Sequence, residues 1–432
     1  MLYQKSDNFL YRDIVKKLES WLIRDEVMVI LGARQVGKTS LLFYLKNNLE
    51  AEGKKTYFID LEDIELRASI KSARNLISFL ETLGWRKGEK TFVLLDEIHY
   101  IENITSILKY LHDHYPELKF IVTGSSSLRL KFKMAEPLTG RKVIFSLFPL
   151  SFREFLRFSG KEQLKDVLAR TEGNPITEPF LSQVAAAYEE YMIYGGYPKV
   201  ALTPSYELKA QILKEIQTTY VDKELRGLIK EESFGKFGSF IEFLAAQNSG
   251  LVKISEISSE VGIARDTVQR YLTILEETYI IGLLRPLARS RQKEITRLPK
   301  LYFLDTGFLN FILKDFRPLS IRPDVGKLFE TALYATLLRE LTGIEEMRFL
   351  RMKSGDEIDF ILRRAKVAIP IEAKWRAERK LPNAFRRFLR DMKCEKGYIT
   401  TKHTWEDEMV NGSQVKFLPA WAIDTELWGK KR

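Results

Sequence analysis

Gly32-Ala33-Arg34-Gln35-Val36-Gly37-Lys38-Thr39 is a complete G-x-x-x-x-G-K-[ST] sequence. It follows the apolar run Val27-Met28-Val29-Ile30-Leu31 and precedes a helical pattern, Ser40-Leu41-Leu42-Phe43-Tyr44-Leu45. Strand, glycine loop and helix in that order make a phosphate-binding loop. The reading implies a parallel α/β sheet and a nucleoside triphosphate ligand. Gly32 and Gly37 let backbone amides close on phosphate oxygens. The helix opening near Lys38 aims free N–H groups at the same anion. Lys38 is expected at the β- and γ-phosphates, Thr39 on Mg²⁺, and Ser40 beside the α-phosphate.

A second motif lies downstream. Thr91-Phe92-Val93-Leu94-Leu95 reads as a buried strand ending in Asp96-Glu97, a Walker B pattern. Asp96 is expected to hold Mg²⁺, directly or through water. Glu97 is expected to orient or deprotonate the attacking water. A third strand, Phe120-Ile121-Val122-Thr123, runs into Gly124-Ser125-Ser126-Ser127. Ser125 is the candidate γ-phosphate sensor, with Ser126 close behind it and a polar strand-to-helix turn as the alternative. Arg141 follows the Leu138-Thr139-Gly140 turn. It reads either as a transition-state arginine, in cis or across a homo-oligomer interface, or as a structural ion-pair residue.

Around these motifs, apolar runs at 27–31, 56–60, 91–95, 120–123 and 143–146 alternate with helical patterns, the first over Phe9–Trp21. Such alternation predicts a parallel sheet covered on both faces. Ser151 and Glu154 form a capping box that starts a helix. Residues 155–245 read almost wholly helical, broken at Gly173-Asn174-Pro175 and Tyr194-Gly195-Gly196-Tyr197-Pro198.

Residues 234–303 read as a winged helix. Three helices (Phe234–Asn248, Ile254–Val261, Ala264–Glu277) precede two strand-like runs, 279–284 and 300–303. The third helix would present Arg265, Gln269 and Arg270. Arg285, Arg289, Arg291, Lys293, Arg297 and Lys300 would form a basic tip between the strands. These side chains suit DNA phosphates and base edges. A packing module with a solvated basic loop is the alternative.

The C-terminal stretch carries another acidic pattern. Gly326-Lys327-Leu328-Phe329-Glu330 opens a helix, Asp356-Glu357-Ile358-Asp359 leads a strand, and Ile371-Glu372-Ala373-Lys374 lies on the next. Asp359 and Glu372 are candidate ligands for Mg²⁺ or Mn²⁺. Lys374, two residues on, shares the face of Glu372 and could position the water. Glu330 would complete the shell. The pattern points to a nuclease-like fold, either active or kept as a binding module.

Composition sets the outer limits. The 432 residues carry a net charge of +11, which favours a polyanionic partner such as DNA. One cysteine, Cys394, and four scattered histidines leave no cysteine or histidine metal site. No apolar run approaches the ~20 residues that span a bilayer, so no membrane role is expected. Met1–Asp7 does not read as a signal peptide, which fits a cytoplasmic protein.

The whole set of motifs resembles a large prokaryotic AAA+ (STAND-like) P-loop ATPase family. The matching segments include Gly32–Thr39, Leu95-Asp96-Glu97-Ile98, Thr123-Gly124-Ser125-Ser126, Thr139-Gly140-Arg141, Pro149-Leu150-Ser151-Phe152 and Gly195-Gly196-Tyr197-Pro198. Glu357-Ile358-Asp359-Phe360 and Ile371-Glu372-Ala373-Lys374 resemble the family's nuclease-like strands. The resemblance implies an AAA+ core over residues 1–160, a helical lid over 161–233, a winged helix over 234–317 and a restriction-endonuclease-like, PD-(D/E)xK domain over 318–432. It also implies ATP with Mg²⁺. The expected function is an ATP-driven switch or motor on DNA, with a metal-dependent nuclease activity open. The alternative is a regulatory switch whose partner is a protein and whose C-terminal domain only docks.

Overall fold

A computed structural model describes residues 9–124, 138, 140–221, 229, 233–288, 290–352, 354–365, 367–375 and 381–429. Ser125, Ser126, Thr139 and Arg289 therefore lie outside the described residues. The chain divides into two compact units: 1–148 with 218–228 and 277–279, and the remainder.

The first unit is built on β1 (Val27–Leu31), β2 (Lys55–Asp60), β3 (Thr91–Asp96), β4 (Leu118–Gly124) and β5 (Lys142–Ser146). They pair in the order β2-β3-β4-β1-β5, every pair parallel. Each predicted strand is present within two residues of its expected bounds. Crossovers run through α2 (Lys38–Ala51), α3 (Ile64–Ser69), α4 (Ala73–Thr82) and α5 (Ile104–His114). β1 and β4 are buried along their whole length, as strands covered on both faces must be. Val29, Val93, Val122, Leu80 and Leu108 are among the side chains that fuse sheet and helices into one core.

The first helix is shorter than its apolar pattern suggested. It is α1, Val15–Leu22, and not a helix from Phe9. Arg12, buried just before it, donates from Nη1 to Val36 O at 2.8 Å and from Nη2 to Phe148 O at 2.8 Å. Two charge-assisted bonds to distant carbonyls hold this segment against the glycine loop.

The second unit begins with α6 (Phe152–Phe158), α7 (Glu162–Thr171), α8 (Phe180–Tyr194), α9 (Pro198–Ala201) and the greater part of α10 (Tyr206–Tyr220). The Ser151–Glu154 capping box is formed, with Glu154 N on Ser151 Oγ and Ser151 N on Glu154 Oε2. The Gly195-Gly196 break is a close-packing device. A Cβ on Gly195 would sit 2.2 Å from Asp305 Oδ1, and Gly196 N donates to Asp305 Oδ2 at 2.7 Å.

Next come α11 (Phe234–Ala246), α12 (Ile254–Val261) and α13 (Arg265–Glu277), then β6 (Ile281–Leu284), α14 (Arg291–Thr296) and β7 (Lys300–Phe303). β6 and β7 pair antiparallel. α15 (Thr306–Leu313) and α16 (Val325–Glu340) lead into a six-stranded mixed sheet. Its strands are β8 (Glu345–Arg351), β9 (Glu357–Arg364), β10 (Val367–Ala373), β11 (Lys396–Thr401), β12 (Glu406–Val410) and β13 (Ser413–Pro419), in the order β12-β13-β11-β10-β9-β8. α17 (Asn383–Asp391) packs Phe385, Phe388 and Leu389 on it. No helix among the described residues is long and apolar enough to cross a membrane.

Candidate functional sites

The glycine loop closes on itself in the first unit. Gln35 (φ 61°) and Gly37 (φ 96°) are left-handed, which turns successive amides toward one concavity. Gly32 has no room for a side chain: a Cβ would stand 2.2 Å from Leu147 O. Lys38 is buried, and its Nζ donates to Gly32 O at 3.1 Å and Ala33 O at 2.9 Å. The ammonium therefore rests on neutral carbonyls of the loop it serves.

Asp96 ends β3 beside this loop. Its Oδ2 accepts from Thr39 Oγ1 at 2.6 Å, and its Oδ1 accepts from the hydroxyl of Thr123 on β4. Burial raises the Asp96 pKa above its usual value, and the two threonine bonds oppose that rise. The sequence reading placed its sensor at Ser125 and passed over Thr123. Fully buried, Thr123 donates to Asp96 and accepts from the Glu97 amide at 3.1 Å. Its signal was a hydroxyl residue among apolar ones at the tip of the strand next to the Walker B strand.

Glu97 adopts a left-handed backbone, φ 53°. That conformation is uncommon for a residue with a side chain and concentrates at functional sites. His99 Nδ1 lies 3.1 Å from Glu97 Oε2. Burial alone would raise the Glu97 pKa. Contact with His99 and the charges of Lys38 and Arg34 outweigh it, holding the carboxyl at about 2. Glu97 is thus a carboxylate at neutral pH. Arg141 places Nε 2.6 Å from Asp113 Oδ1 on α5, a partly exposed ion pair.

Thr39 Oγ and an Asp96 carboxylate oxygen standing 2.6 Å apart are the hard donors that Mg²⁺ takes. The loop's inward amides and the N-terminus of α2 suit phosphate. The residues present therefore fit a magnesium nucleotide.

In the second unit the structure brings Glu330, Asp359, Glu372 and Lys374 together. Glu372 Oε1 accepts from Lys374 Nζ at 2.7 Å, Asp359 Oδ2 from Ala373 N at 2.9 Å, and Glu372 Oε2 from Asp359 N at 3.4 Å. Burial pushes both Asp359 and Glu372 above the usual carboxylate range; around Asp359 the charges of Glu372 and Glu330 add to the push. Two further residues belong to this centre. Glu357 groups with Glu330 and Asp359, their oxygens all within 4.8 Å. Lys300 enters from β7, with Nζ 2.9 Å from Glu330 Oε1, in contact with Glu357 Oε1 and 4.0 Å from Asp359 Oδ1.

This corrects one member of the expected basic tip, whose Arg285, Arg291, Lys293 and Arg297 are exposed. Lys300 is buried, not presented to solvent. β7 is buried throughout and β6 nearly so, because the Tyr302 ring stacks 4.3 Å from Tyr334 of α16 and a Cβ on Gly282 would hit the Tyr334 hydroxyl. Between the strands stands α14, where Arg291 pairs with Glu346 and Glu294. Arg265, Gln269 and Arg270 do lie on the exposed face of α13.

Comparison with known proteins identifies the first unit. Residues 24–156 match the family model described as AAA domain. Those residues form an AAA-type ATPase domain. Residues 185–318 and 325–423 match two domains of unknown function, DUF8612 and DUF4143. An uncharacterized protein of Haemophilus influenzae is 25% identical over 416 residues, covering 92% of this chain and 94% of its own. One from Methanocaldococcus jannaschii is 25% identical over 370 residues, covering 81% and 75%. Among solved structures, the Walker-type ATPase of Pyrococcus abyssi aligns at 17% identity and TM-score 0.48, over 71% of this chain and 96% of its own.

Proposed function

We propose that the AAA-type domain hydrolyses ATP with Mg²⁺ and that the cycle drives action on DNA. The observation that carries the hydrolysis is the chain of contacts Thr39–Asp96–Thr123–Glu97 beside the glycine loop. Bound Mg²⁺ would supply charge neutralisation between the β- and γ-phosphates. Asp96 and Thr39 would hold it, giving up their mutual hydrogen bond. Lys38 would exchange two neutral carbonyls for phosphate oxygens, a gain for an ammonium ion. Glu97, ionised and next to the site, accepts the proton of the attacking water. Thr123 fixes the Glu97 backbone through its amide.

DNA is supported by the +11 net charge and by the exposed Arg265, Gln269 and Arg270 on α13, where a winged helix places its recognition helix. In this reading, residues 161–233 are a lid, 234–317 a winged helix and 318–432 a restriction-endonuclease-like fold. One observation favours a protein partner instead: the β6–β7 hairpin is buried and Arg291 is paired with carboxylates, which shrinks the free cationic surface.

ATP hydrolysis by wild type, Lys38→Ala and Glu97→Gln, with and without duplex DNA across a salt series, tests the proposal. Nucleotide binding should weaken in Lys38→Ala. Glu97→Gln should bind ATP and fail to turn it over. Stimulation by DNA that fades with salt supports the DNA reading, because phosphate contacts release counterions. Full turnover by Glu97→Gln removes that residue's assigned role, and turnover indifferent to DNA favours the protein-partner switch.

A further inference from the structure

The acidic centre of the second unit does not fit a divalent cation as the chain folds, because a cation of the chain's own already lies against Glu330 and Glu357. Lys300 Nζ contacts Glu330 and Glu357 and stands 4.0 Å from Asp359, with its side chain 5% exposed. Its Nζ also lies 5.6 Å over the Phe349 ring. The lone pairs of Glu330 are further consumed by Tyr302, whose hydroxyl donates to Oε1 at 2.5 Å, and by Ser249, which donates to Oε2 at 2.7 Å. Lys300 and Tyr302 stand two residues apart on β7 and so point to one face.

The delivery of this ammonium is rigid. Lys300 pairs with Leu284 on β6, and its neighbour Leu301 exchanges backbone bonds with the 249–250 turn, accepting from Ser249 N at 2.8 Å and donating to Gly250 O at 3.0 Å. A divalent cation needs free carboxylate oxygens at about 2.0 to 2.6 Å. Here it would meet Glu330 oxygens already engaged and a fixed positive charge within a few ångströms. Repulsion between a divalent ion and an ammonium at that separation is large even at an effective dielectric of about 20.

We propose that Lys300 is the resident cation of this pocket, standing where a metal-dependent phosphodiesterase centre would carry its metal, and that it keeps the pocket closed to divalent ions. The inference is independent of the ATPase reading, since it involves no residue of the first unit. It makes the second unit's nuclease-like centre a lysine-filled structural node in the native chain.

Mn²⁺ titration followed by electron paramagnetic resonance tests it, using the nucleotide-free full chain near pH 7.5. Asp96→Asn is carried in every sample to silence the P-loop site. The chain with native Lys300 should bind no Mn²⁺ that depends on Asp359. Lys300→Met should gain one Mn²⁺ site about tenfold tighter or more, and adding Asp359→Asn should remove it. Lys300→Gln serves in its place if the methionine variant does not fold. Mn²⁺ bound by the native-Lys300 chain and lost on Asp359→Asn overturns the proposal. So does a folded Lys300 variant that binds no more than its parent. Should neither variant fold, the native-Lys300 arm decides alone: Asp359-dependent binding refutes the closed pocket, and its absence supports it.

Discussion

The two acidic centres of this chain use the same residue types to opposite ends. Each gathers carboxylates, at the end of β3 in the first and from β9, β10 and α16 in the second, and brings a buried lysine to them. Around the glycine loop, Lys38 rests on two neutral carbonyls while Asp96 is bound by two hydroxyls. In the second unit, Lys300 rests on carboxylates. The first rests its lysine on carbonyls that a phosphate can replace and holds Asp96 by hydroxyls that a metal can displace. The second sets its lysine directly against carboxylates. Residue identity gives a centre its chemical vocabulary, but the partner of its lysine decides whether it is open to a ligand.

The largest effect that can break this contrast is catalytic. Glu97→Gln keeps the shape of the side chain and removes its basicity. Turnover should fall by about 10²- to 10⁴-fold, the usual worth of a general base. Steady-state phosphate release measures it, with nucleotide binding as the control that the loop is intact.

Stability should separate the two lysines next. Lys300→Ala leaves the partly buried Glu330 and Glu357 without their cation, and the cost should reach at most about 3 to 5 kcal/mol, the figure typical of breaking a fully buried pair. Lys38→Ala removes bonds to two neutral carbonyls and an attraction on Glu97, which keeps His99 beside it, so its cost should be the smaller. Urea unfolding of both variants checks the order. Equal costs would mean that Lys300 is not the counter-ion of its pocket.

A pH series sharpens the comparison through its sign. Glu97 is held at about 2, below its unfolded value, so the folded state binds fewer protons. Its stabilisation is present above the unfolded value and is lost as pH falls toward 2. Asp359 is held above its unfolded value by burial and by the charges of Glu372 and Glu330. Its contribution runs the other way and is lost as pH rises through its folded pKa. Unfolding midpoints of wild type, Glu97→Gln and Asp359→Asn should show it. The first variant should flatten the acid side, and the second should flatten the rise in cost toward neutral pH. A Glu97→Gln protein as acid-sensitive as wild type would contradict the ionised carboxylate.

The sequence made some of this legible and hid the rest for physical reasons. The glycine loop, Asp96 and Glu97 were readable because local chemistry dictates them: the φ values of the loop and the burial of β3 need no distant information. Glu330, Asp359, Glu372 and Lys374 were readable as a pattern, and the sheet does gather them. Lys300 was misread because β7 spans four residues, too few for alternation to show which side faces a core. Its inward direction is set by α16, some thirty residues on, through the Tyr302–Tyr334 stack. Glu357 was quoted but not chosen, since nothing local separates it from an ordinary strand-edge acid. The late start of α1 has a similar cause, as Arg12 is held by carbonyls 24 and 136 residues away.

The smallest expected effect concerns Arg141, where an arginine beside a nucleotide domain invites a catalytic role. Its Nε bonds Asp113, the pair is partly exposed, and its own carbonyl accepts from Val27 N at 2.8 Å to start the β1–β5 pairing. The backbone bond survives substitution. A side-chain pair at such exposure contributes little to stability. Arg141→Ala should therefore shift the unfolding midpoint little and leave ATP turnover close to wild type. An arginine that neutralises the transition state would be worth about 10³-fold or more. A loss of that size would show that Arg141 leaves Asp113 during the cycle, so that an ion pair of the resting chain also serves the reaction. Its dependence on protein concentration would then tell action within one chain from action across two.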